Sequence, residues 1–263
     1  MTFLLFTMAQ AAPIESLLAL DPQPLASQHA FTDMFVGLCG EVEWSDTARM
    51  AERTEFGAGG CDGMYLAEDG RFSIRFLDAD EVGTRDDRTG EQERDLLNVE
   101  DRELLESLGF DPSELGYSFT RDIVVESQDE ETGASKRSYL GTLTVVERAF
   151  GDYWVPGSRL SVVRDARGEL LELIGAWPEV DMDTDLRDAD EPGTREEYAS
   201  LLGVEAEAII GLRAALEPTG VTEAHVVGAR TVTYVTWRVP GPEGSTAAIG
   251  VYFEGATPLW SEE

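Results

Sequence analysis

Two histidines, His29 and His225, and two cysteines, Cys39 and Cys61, are the side chains of this sequence best suited to acid–base or nucleophilic work near neutral pH. His29 lies beside Ser27 and Gln28 in the N-terminal stretch. His225 falls in the alternating run Thr222-Glu-Ala-His-Val-Val227, so both histidines read as structural or solvated. A Cys–His nucleophile needs a cysteine beside a histidine in space, and the spacing gives no reason for that. The sequence contains no H-E-x-x-H, no P-loop, no G-x-S-x-G and no G-x-G-x-x-G in a strand–helix setting. Carboxylates are so numerous that no pair of them stands out as an acid–base couple. No catalytic residue is assigned, and the chain is expected not to be an enzyme.

Metal chemistry has one candidate. Asp181-Met-Asp183-Thr-Asp185 carries the alternating acids of a calcium loop. The position that an EF-hand gives to Gly is Leu186, and Pro192 stands where the bidentate Glu belongs. Asp181, Asp183 and Asp185 therefore read either as a weak, non-EF calcium loop or as a solvated acidic linker; no other cofactor is expected. With only two histidines, Cys39 and Cys61 do not complete a four-ligand zinc site of the usual spacing. They read as a disulfide closing a loop of about 22 residues, the alternative being two unrelated buried thiols. The run Gly57-Ala-Gly-Gly-Cys61-Asp-Gly63 has no basic residue to hold a phosphate and reads as a flexible loop.

The 263 residues carry 52 acids and 20 bases, a formal net charge of −32. An excess of that size repels phosphate backbones and anionic membranes, which excludes nucleic acid as a partner. It suits a heavily hydrated surface of halophilic or GC-rich origin, or an acidic decoy for a basic protein. At the N-terminus, Ala9-Gln10-Ala11 follows a short apolar run and resembles the tail of a signal peptide, although the first basic residue is Arg49. Export to the periplasm, envelope or exterior is the expectation, with a cytoplasmic location as the alternative. A cysteine bridge fits an oxidising compartment. No later segment has the ~20 apolar residues of a membrane-spanning helix.

The elements that would position these groups read as α+β. Phe72, Ile74 and Phe76 alternate with polar residues after the Asp69-Gly70 turn. Residues 158–163 and 169–174 read as one hairpin, 232–239 and 245–253 as another, and 139–148 as a further strand. A helix is predicted from Val99 to Leu108, started by Asn98 and stopped by Gly109. A second is predicted between Thr194 and Leu216, interrupted near Gly203, with Ile209, Leu212 and Leu216 on its apolar face. Asp78-Ala-Asp-Glu-Val-Gly-Thr-Arg-Asp-Asp87 returns as Asp188-Ala-Asp-Glu-Pro-Gly-Thr-Arg-Glu-Glu197, and Thr194 with Glu197 forms a capping box. The expected organisation is an N-terminal segment (1–30), a hairpin-rich part (31–77), and two related α+β units (78–187 and 188–263).

The segment Val155-Pro-Gly-Ser-Arg-Leu-Ser-Val-Val-Arg-Asp-Ala-Arg-Gly168, continuing through Glu169-Leu-Leu-Glu-Leu-Ile-Gly175, resembles the central hairpin of PepSY-like and fungalysin/thermolysin-propeptide-like domains. The resemblance spans about residues 101–178. It implies a cystatin-like fold, helix packed on a curved antiparallel sheet, and an exported, non-catalytic module that binds another protein. The family has no catalytic residues to carry over. The leading expectation is thus an exported or envelope-associated protein-binding module, with Trp154, Trp177 or Trp237 on its contact surface. The alternatives are a cytosolic acidic partner of immunity type that neutralises a basic enzyme, and a carboxylate-based hydrolase.

Overall fold

Residues 61–66, 71–76 and 153–165 alternate more and less buried side chains with period two, the mark of strands with one face on a core. The computed structural model describes residues 26–48, 53–67, 70–76, 84–128, 135–180, 193–222, 225–241 and 245–259. These hold three α-helices, α1 (Ala26–Cys39), α2 (Glu91–Ser107) and α3 (Arg195–Leu202). The first eight strands are β1 (Trp44–Ala48), β2 (Arg53–Ala58), β3 (Cys61–Leu66), β4 (Arg71–Phe76), β5 (Leu115–Gln128), β6 (Ser135–Phe150), β7 (Tyr153–Asp165) and β8 (Leu170–Ala176). Five more follow: β9 (Glu179–Val180), β10 (Ile209–Thr222), β11 (His225–Pro240), β12 (Thr246–Glu254) and β13 (Thr257–Leu259).

All thirteen strands join one hydrogen-bonded sheet. Its larger part is antiparallel in the order β1-β2-β3-β4-β8-β7-β6-β5. The smaller part, β10-β11-β12-β13, is attached where β10 runs parallel to β7 at the single pair Ala215–Trp154. The expected pair of cystatin-like α+β units is therefore incorrect. The chain is mostly β, one sheet runs through it, and α1 and α2 share a single core on the same face of that sheet. The two copies of the acidic decapeptide also differ where they are described. Thr194 and Glu197 cap α3 through a reciprocal capping box. Arg85 instead bridges to Tyr139, and α2 starts later, behind Gly90 with no side-chain cap. The rest of both copies lies outside the described residues.

The main core is built from Phe31 and Phe35 of α1 stacked on Phe56, Tyr65 and Phe72, with ring centroids 5.2–5.8 Å apart for Phe31–Phe56, Phe31–Tyr65, Phe31–Phe72 and Phe35–Phe56. A Cβ at Gly63 would stand 2.6 Å from the Phe35 ring, so glycine at that position lets α1 lie against β3. The glycine-rich run is accordingly a tight hairpin between β2 and β3, closed by the pair Ala58–Cys61, and not a flexible loop. Cys61 bonds Cys39 at the end of α1, with Cα atoms 5.8 Å apart. A smaller core joins Tyr198 of α3 to Val235, Trp237, Val251 and Phe253.

Candidate functional site

Helices cover one face of the large sheet, and the site lies on the other. On that open face β6 presents Leu143, Val145 and Glu147, β7 presents Arg159, Ser161 and Val163, and β8 presents Ile174 and Ala176, as the cross-strand register requires. Ser161 stands beside Ile174, and Ser73 of β4 flanks it on the other side. Two small polar neighbours leave Ile174 41% exposed on an interior strand, which hollows the sheet surface. The hollow is an open groove of about 1360 Å³ with Leu143, Val163 and Ile174 on its floor. β5 forms one wall with Arg121, Ile123 and Val124. The β5–β6 ribbon bends beside this wall at Gly141 (φ 156°), where the register shifts and a Cβ would meet the Arg164 carbonyl.

Trp154 closes the groove at the junction of the two sheet parts. Its ring lies 5.5 Å from Tyr234 and 6.4 Å from Tyr252, and the Arg213 guanidinium sits 4.6 Å above it. Burial, reinforced by the neighbouring Tyr234 and Glu217, pushes the Tyr252 phenol up to about 12. Of the other two tryptophans of interest, Trp237 is in the small core. Trp177 packs against Phe110 and under Arg148, whose guanidinium is 4.7 Å from its ring.

The electrostatics of the groove differ from those of the molecule. Its acids are each held by a basic residue: Glu147 by Arg213, Glu217 by Arg230 at 2.7 Å, and Asp122 by Arg88 and Arg94 at 3.5 Å. Arg121 and Arg159 are exposed, and neither has a hydrogen-bond or ion-pair partner among the described residues. Glu147 stands opposite Arg159 in register, yet its carboxylate goes to Arg213. Among the described residues the groove thus carries two uncompensated positive charges, on a chain whose net charge is −32.

Behind the groove, on the covered face, lies a buried polar seam between α2 and the sheet. Asp101 is fully buried and accepts hydrogen bonds from Arg164 Nε at 2.7 Å and from Thr144 Oγ1. Arg164 also donates to the Gly168 carbonyl at 2.9 Å. Asn98, expected to start the helix, sits mid-helix and binds Ser118 and Thr120 of β5. Burial raises the Asp101 carboxyl above the usual carboxylate value, against the opposing pull of the Thr144 hydrogen bond and the Arg164 charge.

His29 is in α1, and His225 opens β11 opposite Thr222 and Glu179. Asp181, Asp183 and Asp185 lie outside the described residues. Among the described residues no group of three or more His, Cys, Asp or Glu side chains is placed to hold a metal ion. Among them too, no helix is long and apolar enough to cross a membrane. The sequence reasoning missed Arg121, Arg159 and Ile174. The available signal was arginine on the strand face opposite the buried alternation. Compared with protein-family models, with curated proteins and with solved structures, the chain matches none.

Proposed function

We propose that this chain is a non-enzymatic, exported protein that binds a segment of another protein in the open groove of its large sheet. The observation that carries the reading is the groove itself: an apolar floor exposed at Ile174 on an interior strand, bordered by Arg121 and Arg159, which have no partner among the described residues. Sheet faces turned to water ordinarily alternate to polar residues, so a hollow of aliphatic side chains is a surface that gains by being covered. The Cys39–Cys61 bridge supports an oxidising compartment and hence export.

The test is to pan a random peptide library over the full chain and retest the selected peptides by fluorescence anisotropy against the Ile174→Glu variant. Selected peptides that lose at least about tenfold in affinity to the variant support the reading, tenfold corresponding to the desolvation lost at one buried apolar anchor. Failure to select any peptide, or binding indifferent to Ile174→Glu, would falsify it. Intact mass of the protein recovered from its host, before and after reduction, tests export: loss of the first 11 residues together with two thiols reactive only after reduction is the expected result.

A further inference from the structure

We infer that the groove reads two carboxylates on one extended segment of the partner, one at Arg121 and one at Arg159, with an apolar side chain between them. The inference rests on the protein-binding reading of the groove and specifies the chemistry of its occupant.

The sheet register sets the spacing. Arg121 is opposite Leu143, and Leu143 is opposite Val163, so Arg121 shares a cross-strand row with Val163 two strands away. Val163 lies four residues along β7 from Arg159. Four residues at ~3.4 Å and two strand spacings at ~4.8 Å give a diagonal of roughly 17 Å between the two arginine backbones. An extended segment lying on that diagonal turns alternate side chains toward the sheet, so residues i, i+2 and i+4 face the groove and span about 14 Å. The flexible arginine side chains cover the difference. The i+2 side chain falls over Val145, beside Ser161 and between the rows of Leu143–Val163 and Glu147–Arg159, on the edge of the apolar floor. The implied pattern is acid–x–apolar–x–acid.

Charge complementarity selects carboxylates over bases. A basic ligand would be drawn to most of the surface of a −32 chain, but in the groove Glu147, Glu217 and Asp122 already hold arginines and would have to be released. Arg121 and Arg159 need release nothing among the described residues. Guanidinium is the group suited to this task, since it grips a carboxylate with two parallel N–H donors. At physiological ionic strength the distant acids are screened beyond ~8 Å, while a contact pair is not.

The experiment titrates the full chain, at physiological salt, into fluorescein-labelled Ser-Glu-Ser-Leu-Ser-Glu-Ser and into its counterpart with both Glu replaced by Gln. The Glu peptide is expected to bind about tenfold or more tightly than the Gln peptide, as a charge-assisted hydrogen bond warrants. Arg121→Gln and Arg159→Gln should each weaken the Glu peptide about tenfold, while Arg238→Gln, an exposed arginine of β11, should leave it unchanged. Equal binding of the two peptides, no binding of either, or indifference to the two groove arginines overturns the carboxylate inference. The protein-binding reading survives those results only if panned peptides still depend on Ile174, so the two failures are told apart.

Discussion

Truncating Asp101 should destabilise the protein more than any other single change in the seam between α2 and the sheet. Asp101 is fully buried, and its carboxylate receives both Arg164 Nε and Nη2 at 2.7 Å as well as Thr144 Oγ1. Asp101→Ala leaves the Arg164 guanidinium, whose side chain is 16% exposed, with only the Gly168 carbonyl. Removing one partner of a buried ion pair costs about 3–5 kcal/mol, because the other is left charged and desolvated. Arg164→Met is milder in acid. Burial already holds the Asp101 carboxyl above its ordinary value near 3.8, and loss of Arg164 removes one of the influences holding it down. A folded-state pKa raised in this way means that the folded protein keeps the proton longer than the unfolded chain. The favourable contribution is therefore complete below the unfolded value and is lost as pH rises through the folded one. The cost of Arg164→Met should grow as pH rises above the unfolded carboxylate value, whereas that of Asp101→Ala should not. The double variant removes both charges and should recover about 2 kcal/mol or more of the summed single losses. Urea unfolding followed by circular dichroism across pH, with m-values checked for constancy, measures all three. A cost below about 1 kcal/mol for Asp101→Ala, or strictly additive losses, would refute the reasoning.

Replacing both cysteines by alanine should cost about 3 kcal/mol, from the entropy returned to an unfolded chain no longer closed across 22 residues, read as a lower urea midpoint. Gly63→Ala should cost about 1–3 kcal/mol, since its Cβ would press on the Phe35 ring at 2.6 Å and force α1 outward; calorimetry should show a lower Tm and Phe35→Leu should partly restore it. Thr194→Ala should remove about 1 kcal/mol by uncapping α3, with Thr194→Ser retaining most of it in the same unfolding assay. Alkaline titration at 295 nm should resolve a phenol near 12, absent in Tyr252→Phe; because that phenol's folded value exceeds 10, the stability it contributes should fall as pH rises from 10 through 12.

How much of this was legible in the sequence depends on what each face of an element carries. The β7–β8 and β11–β12 hairpins and β4 are regular alternations beside turn residues, and they lie where the pattern put them. The start of α2 was hidden because its sheet-facing side is polar before Leu104: Asn98 and Asp101 point at hydroxyls of β5 and β6, so the apolar periodicity begins a full two turns late. The spacing of Ile209 and Leu212 looked helical for a different reason. A bulge inserts an extra residue in β10 between the pairs Ile209–Trp237 and Gly211–Thr236, so two residues three apart point to the same core. An arginine on the open strand face was the one legible sign of the groove; the grouping of its residues was not legible. Ile174, Arg121 and Arg159 are brought together by cross-strand register, and register between β5, β7 and β8 leaves no mark in local sequence.

The use of arginine ties the acidity of the chain to the groove. Of the 20 basic residues one is lysine, and the arginines do work that a point charge would do badly. Arg148, 4% exposed, donates to Glu114 and the Pro178 carbonyl while its plane lies between Phe150 and Trp177. Arg102 donates to the Gly116 and Leu115 carbonyls at 2.7 Å, fastening α2 to β5. Arg213 holds Glu147 and stacks on Trp154, and Arg230 holds Glu217. With 52 acids to choose from, an arginine facing the surface finds a carboxylate at little cost. Arg121 and Arg159 sit beside an apolar hollow, and within the described residues no carboxylate reaches them. Arg195 and Arg238 are likewise exposed without a partner among the described residues, so what sets Arg121 and Arg159 apart is their place beside the apolar hollow, where a ligand's carboxylates would find them.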